Sequence, residues 1–182
     1  MIKGAALSEK TGMHLRPAAV SDIPLLRRWE AAPHVKAAMG ADGPFDWERE
    51  IPERVDWRQM LIAERDGRPI GFLQIIDPAR DPTGYWGAVA PNQRAIDIWI
   101  GEPDCLGRGF GTEMMRLALA RCFADPAVTA VLIDPLADNV RAQRFYARLG
   151  FRPIERQSFG ADACLVMRLD REVWATPPAA RA

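Results

Sequence analysis

The feature that most restricts the fold is a strand running into a glycine-rich turn and then a helix. Residues 95–101 (AIDIWIG) alternate, so Ile96, Ile98 and Ile100 share one face of an extended chain while Asp97 and Trp99 share the other. The turn Leu106-Gly107-Arg108-Gly109-Phe110-Gly111-Thr112 follows, and beyond it Met115, Ala118, Leu119, Cys122 and Phe123 recur at helical spacing. Glycines let backbone approach a ligand closely, and the first amides of a helix, at its positive dipole end, point at whatever sits there. A pyrophosphate fits that geometry. The spacing is neither GxxxxGK[ST] nor GxGxxG, so a nucleoside-triphosphate loop and a dinucleotide fingerprint are both disfavoured.

The rest of the chain supplies elements to pack around this unit. Residues 15–17 read as a short strand, and Ser21-Asp22-Ile23-Pro24 places a capping residue ahead of a helix that carries Leu25, Leu26 and Trp29 on one face and breaks around Pro33. Residues 40–56 are too irregular to assign. Residues 58–64 and 70–76 are apolar strands whose connection contains Asp66-Gly67, a hairpin signal. A loop holding Tyr85 and Trp86 leads into the alternating strand. After the helix ends at Asp125-Pro126, residues 130–133 form a β-branched strand closed by Asp134-Pro135. Asn139 then opens a helix with Ala142, Phe145, Tyr146 and Leu149 on one face, stopped by Gly150 as a left-handed cap, and a last strand spans 164–169. This order predicts an α/β domain with a mixed sheet over residues 14–175, with 1–13 and 176–182 as flexible ends.

Composition narrows the partners. A chain of 182 residues, 48% of them apolar, can build one substantial core. Its 24 basic and 24 acidic side chains cancel, so bulk charge favours neither nucleic acid nor a membrane surface. Cys105, Cys122 and Cys164 have no metal-like spacing and read as reduced structural thiols; no stretch is long and apolar enough to span a bilayer, and the opening residues lack the apolar centre of a secretory signal. The expected location is the cytoplasm. His14 and His34 lie far in sequence from the glycine turn and read as surface or packing residues. Trp29, Trp47 and Trp57 read as core or rim residues, the alternative being the lining of an acceptor cleft.

The strand, the glycine turn with its helix, the next strand and the helix in DPLADNVRAQRFYARLGF (134–151) occur in the order and spacing of the GNAT superfamily, which this chain resembles from Leu15 to Leu169. The resemblance implies the GNAT fold, a mixed and mostly antiparallel central sheet flanked by helices, and acetyl-coenzyme A as cosubstrate with no metal. It implies that the amides of Arg108, Gly109, Gly111 and Thr112, in the turn from Leu106 through Gly107 and Phe110, hold the coenzyme pyrophosphate. It also implies that Ile98, Trp99 and Ile100 pair with the pantetheine arm, that Asn139 beside Ala142 bonds that arm, and that Tyr146 protonates the departing thiolate. Leu106 departs from the Gln or Arg that usually starts the turn.

Within the superfamily the chain is similar to aminoglycoside 6′-N-acetyltransferases, through Asp97, the run 106–112, Phe123 to Thr129, and Asp134-Pro135 with Asn139, Arg141 and Ala142. That similarity implies Asp97 as the base for the acceptor ammonium, Asp134 as a ligand of a polycation, and Tyr85-Trp86 as the acceptor-loop aromatics. Read from the residues, Asp97 is either this base or a strand carboxylate satisfied by Arg94 or water, Tyr146 either an acid or a core tyrosine, and Asp134 either a ligand or a turn cap. Asp97, Glu102, Asp104 and Asp134, with Asp162 in a later loop, would gather negative charge at the acceptor mouth. No Cys/His pair supports a covalent enzyme intermediate. The expected activity is acetylation of a primary amine, with a siderophore hydroxylysine, another small amine or a protein N-terminus as alternative acceptors, and an acyl-coenzyme A-binding module as the non-enzymatic alternative. The expected state is a monomer or a homodimer.

Overall fold

The computed structural model describes residues 12–41 and 43–176. The flexible ends expected for 1–11 and 177–182 lie outside the described residues. Seven strands form one sheet in the order β1-β2-β3-β4-β5-β7-β6: β1 (Met13–Pro17), β2 (Arg58–Arg65), β3 (Arg68–Ile76), β4 (Gln93–Ile100), β5 (Ala130–Ile133), β6 (Arg152–Phe159) and β7 (Asp162–Asp170). Neighbouring strands are antiparallel except β4 and β5, which run parallel. The mixed, mostly antiparallel sheet expected from sequence is therefore present.

Local chemistry accounts for most element ends. Asp66 and Gly67 take left-handed backbone, φ 50° and 78°, as the tight β2–β3 hairpin requires. The first strand starts at Met13, one residue inside the expected flexible leader: Met13 pairs with Arg65 and its side chain is fully buried. Asp22, within the expected capping stretch, is the N-cap residue of the first helix, α1 (Ile23–Glu30), but its side chain bonds no helix amide: it accepts the Ala19 amide at 2.8 Å and a two-pronged contact from Arg16 at 2.7 and 2.8 Å. Pro33 is the first residue of another helix, α2 (Pro33–Met39), rather than only a break, because its missing N–H costs nothing there. A single turn, α3 (Trp47–Glu50), lies in the segment left unassigned.

Two layers cover the sheet. The helix after the glycine turn, α4 (Phe110–Cys122), packs on the Ile96 face, burying Phe110, Met114, Met115, Ala118 and Leu119 against Leu61, Leu73 and Val131. The next helix, α5 (Val140–Arg148), sets Phe145 and Tyr146 on the edge of the same core, and α6 (Arg171–Ala175) adds Trp174. On the opposite face α1, α2 and α3 enclose an aromatic cluster in which Trp47, Phe72 and Trp99 meet with ring centroids 4.7–6.5 Å apart. Trp29 and Trp47 are 1% and 0% exposed and so belong to the core; Trp57 alone of the three candidates borders the cleft described below.

Candidate active site

The site begins where the sheet comes apart. Strand β5 pairs with β4 only at Gln93 to Ala95, and Pro135, which has no N–H to continue the ladder, turns the chain away to bond β7 through its carbonyl and Leu165. From Ile96 onward β4 has no neighbour on that side among the described residues. The bond from Gly101 N–H to Ile70 O fixes the phase of the β3–β4 ladder, so Trp99 and Asp97 spend their main-chain groups on β3 while those of Ile98 and Ile100 turn to the open edge. His34 reaches that edge from α2, its Nε2 donating to Ile100 O at 3.0 Å. The open strand edge is thus centred on Ile98. Trp99 contributes a buried ring instead, 8% exposed.

A cleft of about 390 Å³ occupies this gap, lined by both Ile96 and Ile98 from one face of β4 and Asp97 and Trp99 from the other. Such a lining requires that the cleft cross the sheet, which the parting of β4 and β5 permits. Tyr146 and Asn139 reach it from α5, Tyr85 and Trp86 from the β3–β4 loop, Asp134 from the end of β5 and Asp162 from β7. The expected acceptor residues are therefore brought together. Asp162 is the first residue of β7 rather than part of a loop, and it accepts the Ala41 amide at 2.7 Å.

Asp97 sits partly buried at the cleft floor and accepts from Gln74 Nε2 at 2.5 Å; Arg94, its other candidate partner, pairs with Asp77 and Asp125. Burial, and then the charges of Asp97 and Asp134, push the Tyr146 phenol well above its ordinary value, so it holds its proton at neutral pH. The Asp134 carboxylate accepts from the Tyr85 hydroxyl at 2.7 Å, and the Tyr85 ring stacks on Phe159 at 4.5 Å. Asn139 is the N-cap of α5, its Oδ1 accepting the Ala142 amide at 3.0 Å. Five carboxylates border the cleft, Glu50, Asp81, Asp97, Asp134 and Asp162, against one guanidinium, Arg58, which is itself paired with Glu50.

Glu102 and Asp104 are not among them. Burial alone would raise the Glu102 carboxyl, but Trp29 Nε1 and Arg28 outweigh it and hold it below its usual range; Asp104 is likewise lowered, by the Arg68 hydrogen bonds. Both charges are answered by arginines, so they leave the mouth. Gln74, Glu50, Asp81 and Arg58 are cleft residues that the sequence reading missed. Gln74 carried a signal, being the one polar residue in the apolar run 70–76.

The glycine turn lies beyond the cleft, at the head of α4. Gly107 and Gly109 have φ 72° and 85°, and a Cβ at either would meet no atom within 4 Å, so backbone conformation and an open approach, not crowding, call for glycine. The first-turn amides of Phe110 and Gly111 have no intrahelical acceptor by position, whereas Thr112 N–H is spent on Gly109 O at 2.9 Å. Arg65 and Arg108 lie over the Phe110 ring at 4.6 and 5.1 Å, adding positive charge beside the turn. The residues present suit a pyrophosphate, with Thr112 removed from the expected donors.

A family model described as an acetyltransferase (GNAT) domain matches residues 18–159, and the chain belongs to that family. It is 37% identical over 97 residues to the aminoglycoside N(6′)-acetyltransferase type 1 of Klebsiella pneumoniae, covering 53% of this chain and 47% of that protein. The chain thus spans about half the length of that relative. It is 25% identical over 134 residues to the lysine N-acyltransferase MbtK of Mycobacterium tuberculosis, covering 71% and 64% of the two chains. The crystal structure of aminoglycoside acetyltransferase AAC(6′)-Ib in complex with coenzyme A and kanamycin matches with a TM-score of 0.76 at 25% identity, covering 89% of this chain and 96% of that one.

Proposed function

We propose that this protein acetylates a primary amine of an aminoglycoside, at the 6′ position, using acetyl-coenzyme A. One observation carries the reading: a carboxylate-lined cleft crosses the sheet at the parting of β4 and β5, so that an acidic acceptor side and an open strand edge meet between Asp97 and Tyr146. Acetyl-coenzyme A supplies the activated acyl group as a thioester. The amides of Phe110 and Gly111, with those of Arg108 and Gly109, hold the pyrophosphate, and Ile98 offers its main chain to the pantetheine arm. Asp97 takes a proton from the acceptor ammonium so that the nitrogen lone pair can attack. Tyr146, kept protonated, gives its proton to the leaving sulfur.

Transfer is direct. The cleft lining includes Cys164 but no histidine to activate it, and burial pushes the Cys122 thiol up to about 12. Asp134, Asp162 and Asp81 attract the remaining ammonium groups of the acceptor, and converting one ammonium to an amide weakens a polycation, the basis of resistance. Three buried thiols outside any disulfide suit the reducing cytoplasm, and among the described residues no helix is long and apolar enough to cross a membrane. The protein would act there as a monomer or homodimer. The test is thiol release from acetyl-coenzyme A with kanamycin, a lysine derivative and a peptide amine. Preference for kanamycin supports the reading. Preference for the lysine derivative moves the acceptor to the class of the mycobacterial relative, and binding without turnover leaves only a coenzyme A-binding module.

A further inference from the structure

We infer that Gln74 is a positioning residue for Asp97, fixing the plane of its carboxyl group and keeping it ionised; the inference rests on the reading of Asp97 as the base. Gln74 of β3 lies directly opposite Asp97 of β4 in the antiparallel register, so the two side chains leave the sheet on the same face. Its neighbours on that face are apolar: Phe72 and Ile76 along the strand, and Met60 opposite it on β2. Gln74 is 5% exposed, an amide set into an apolar layer. Only half of it is satisfied. Nε2 donates to Asp97 Oδ2, while Oε1 is buried and has no partner among the described residues.

An amide retained at a purely structural position would be expected to pair both of its ends. Here the pairing is one-sided, and the paired side faces the reacting carboxylate. An ionised carboxylate only accepts, so the amide must turn its NH₂ to Oδ2. Oδ2 is held by that bond and remains its acceptor after a proton arrives on the carboxyl group. A donor to the charged form also lowers the carboxyl pKa. The carboxylates that share the cleft oppose this. Asp134 at the end of β5, Asp162 of β7, Asp81 and Tyr85 of the β3–β4 loop, Glu50 of α3 and the Tyr146 phenol of α5 share the cleft, with Arg58 of β2 as its one cation, already paired with Glu50. With four further carboxylates bordering the cleft, the Gln74 amide favours the ionised form of Asp97, the form a base requires.

The substitution Gln74→Met keeps length and removes both polar ends. It should lower kcat about 10-fold or more with little change in the KM for acetyl-coenzyme A, and move the acidic limb of kcat/KM upward by about one pH unit. The melting temperature should stay level or rise, since the orphan oxygen goes too. Should Gln74→Met fail to fold, Gln74→Asn withdraws Nε2 while keeping the amide and should show the same pH shift. A readout independent of turnover is the carboxyl-carbon NMR titration of Asp97, assigned by its loss in Asp97→Asn, whose midpoint should rise in the Gln74 variant. An unmoved midpoint, or a variant that loses stability but keeps its pH profile, overturns the inference. A wild-type protein that acetylates no amine overturns the proposed activity instead, and the NMR titration still decides the role of Gln74.

Discussion

Gly109 offers the cleanest separation of backbone strain from ligand contact. It caps α4 at φ 85°, a conformation that costs an L-residue about 1–2 kcal/mol. Its added Cβ would meet no protein atom within 4 Å, so steric repulsion inside the free protein contributes nothing further. Gly109→Ala should therefore lower the melting temperature by about 2–8 °C, using about 2–4 °C per kcal/mol for a chain of this size. The methyl group, however, projects into the open space through which a pyrophosphate must approach the Phe110 and Gly111 amides. Relief of the strain by a change of φ would misdirect those amides. Either route should weaken acetyl-coenzyme A binding at least about 10-fold, or about 1.4 kcal/mol, measured by calorimetry. Gly160→Ala is the matched control: φ is 56°, its Cβ also meets nothing within 4 Å, and it lies in the β6–β7 turn. It should lose similar stability and keep coenzyme affinity. Equal affinities for the two folded variants would refute the pyrophosphate site.

Tyr146→Phe should cut kcat by about 10²- to 10⁴-fold and leave coenzyme affinity intact; turnover within about twofold would make the tyrosine a packing residue. Because burial, Asp97 and Asp134 all raise the phenol, the basic limb of kcat that it sets should lie above about pH 10, which a pH–rate profile checks. Acid stability should depend on Asp22, whose carboxyl burial would raise but whose bonds from Arg16 and the Ala19 amide hold low. A folded-state pKa below the unfolded value contributes stability that is complete above about pH 4 and is lost as pH falls through the folded value, so Asp22→Asn should destabilise by about 1–3 kcal/mol near neutrality and converge with wild type in acid melts. A gap that persists undiminished in acid would contradict that pairing.

How much of this was legible in sequence depended on whether the cause was local. The β2–β3 hairpin, the alternation of β4 and the helix caps at Asn139 and Gly150 are each written in a few adjacent residues, and each stands as expected. Strand β6 has no signal in sequence because RPIERQSF lies mostly exposed at a sheet edge, with a register shift beside Pro153, and therefore lacks the alternation that marks a half-buried strand. Pro33 reads as a stop in sequence because proline both ends and begins helices, and the extended Ala32 that makes it a beginning is a conformation, not a residue type. The residues for the candidate chemistry were visible, since the glycine turn and the 134–151 helix keep fixed spacing. The acidic mouth was only half right. Glu102 is answered by Arg28, 74 residues away, and such a pairing is set by the packing of α1 on the sheet. Gln74 likewise acquires meaning only once the register puts it opposite Asp97.

The measurement closest to the central claim is the acetylation of kanamycin by the purified protein and acetyl-coenzyme A, with the product mapped by NMR and the rate followed in rising salt for wild type and Asp97→Asn. A single acetyl group on the 6′ nitrogen is expected, with a kcat/KM that falls as salt screens the cleft carboxylates. The Asp97→Asn variant should still bind the coenzyme but lose rate, most steeply at low pH, where free amine is scarcest. Acetylation elsewhere on the sugar, a rate indifferent to salt, or an Asp97→Asn variant as fast as wild type would contradict the acidic cleft and its base.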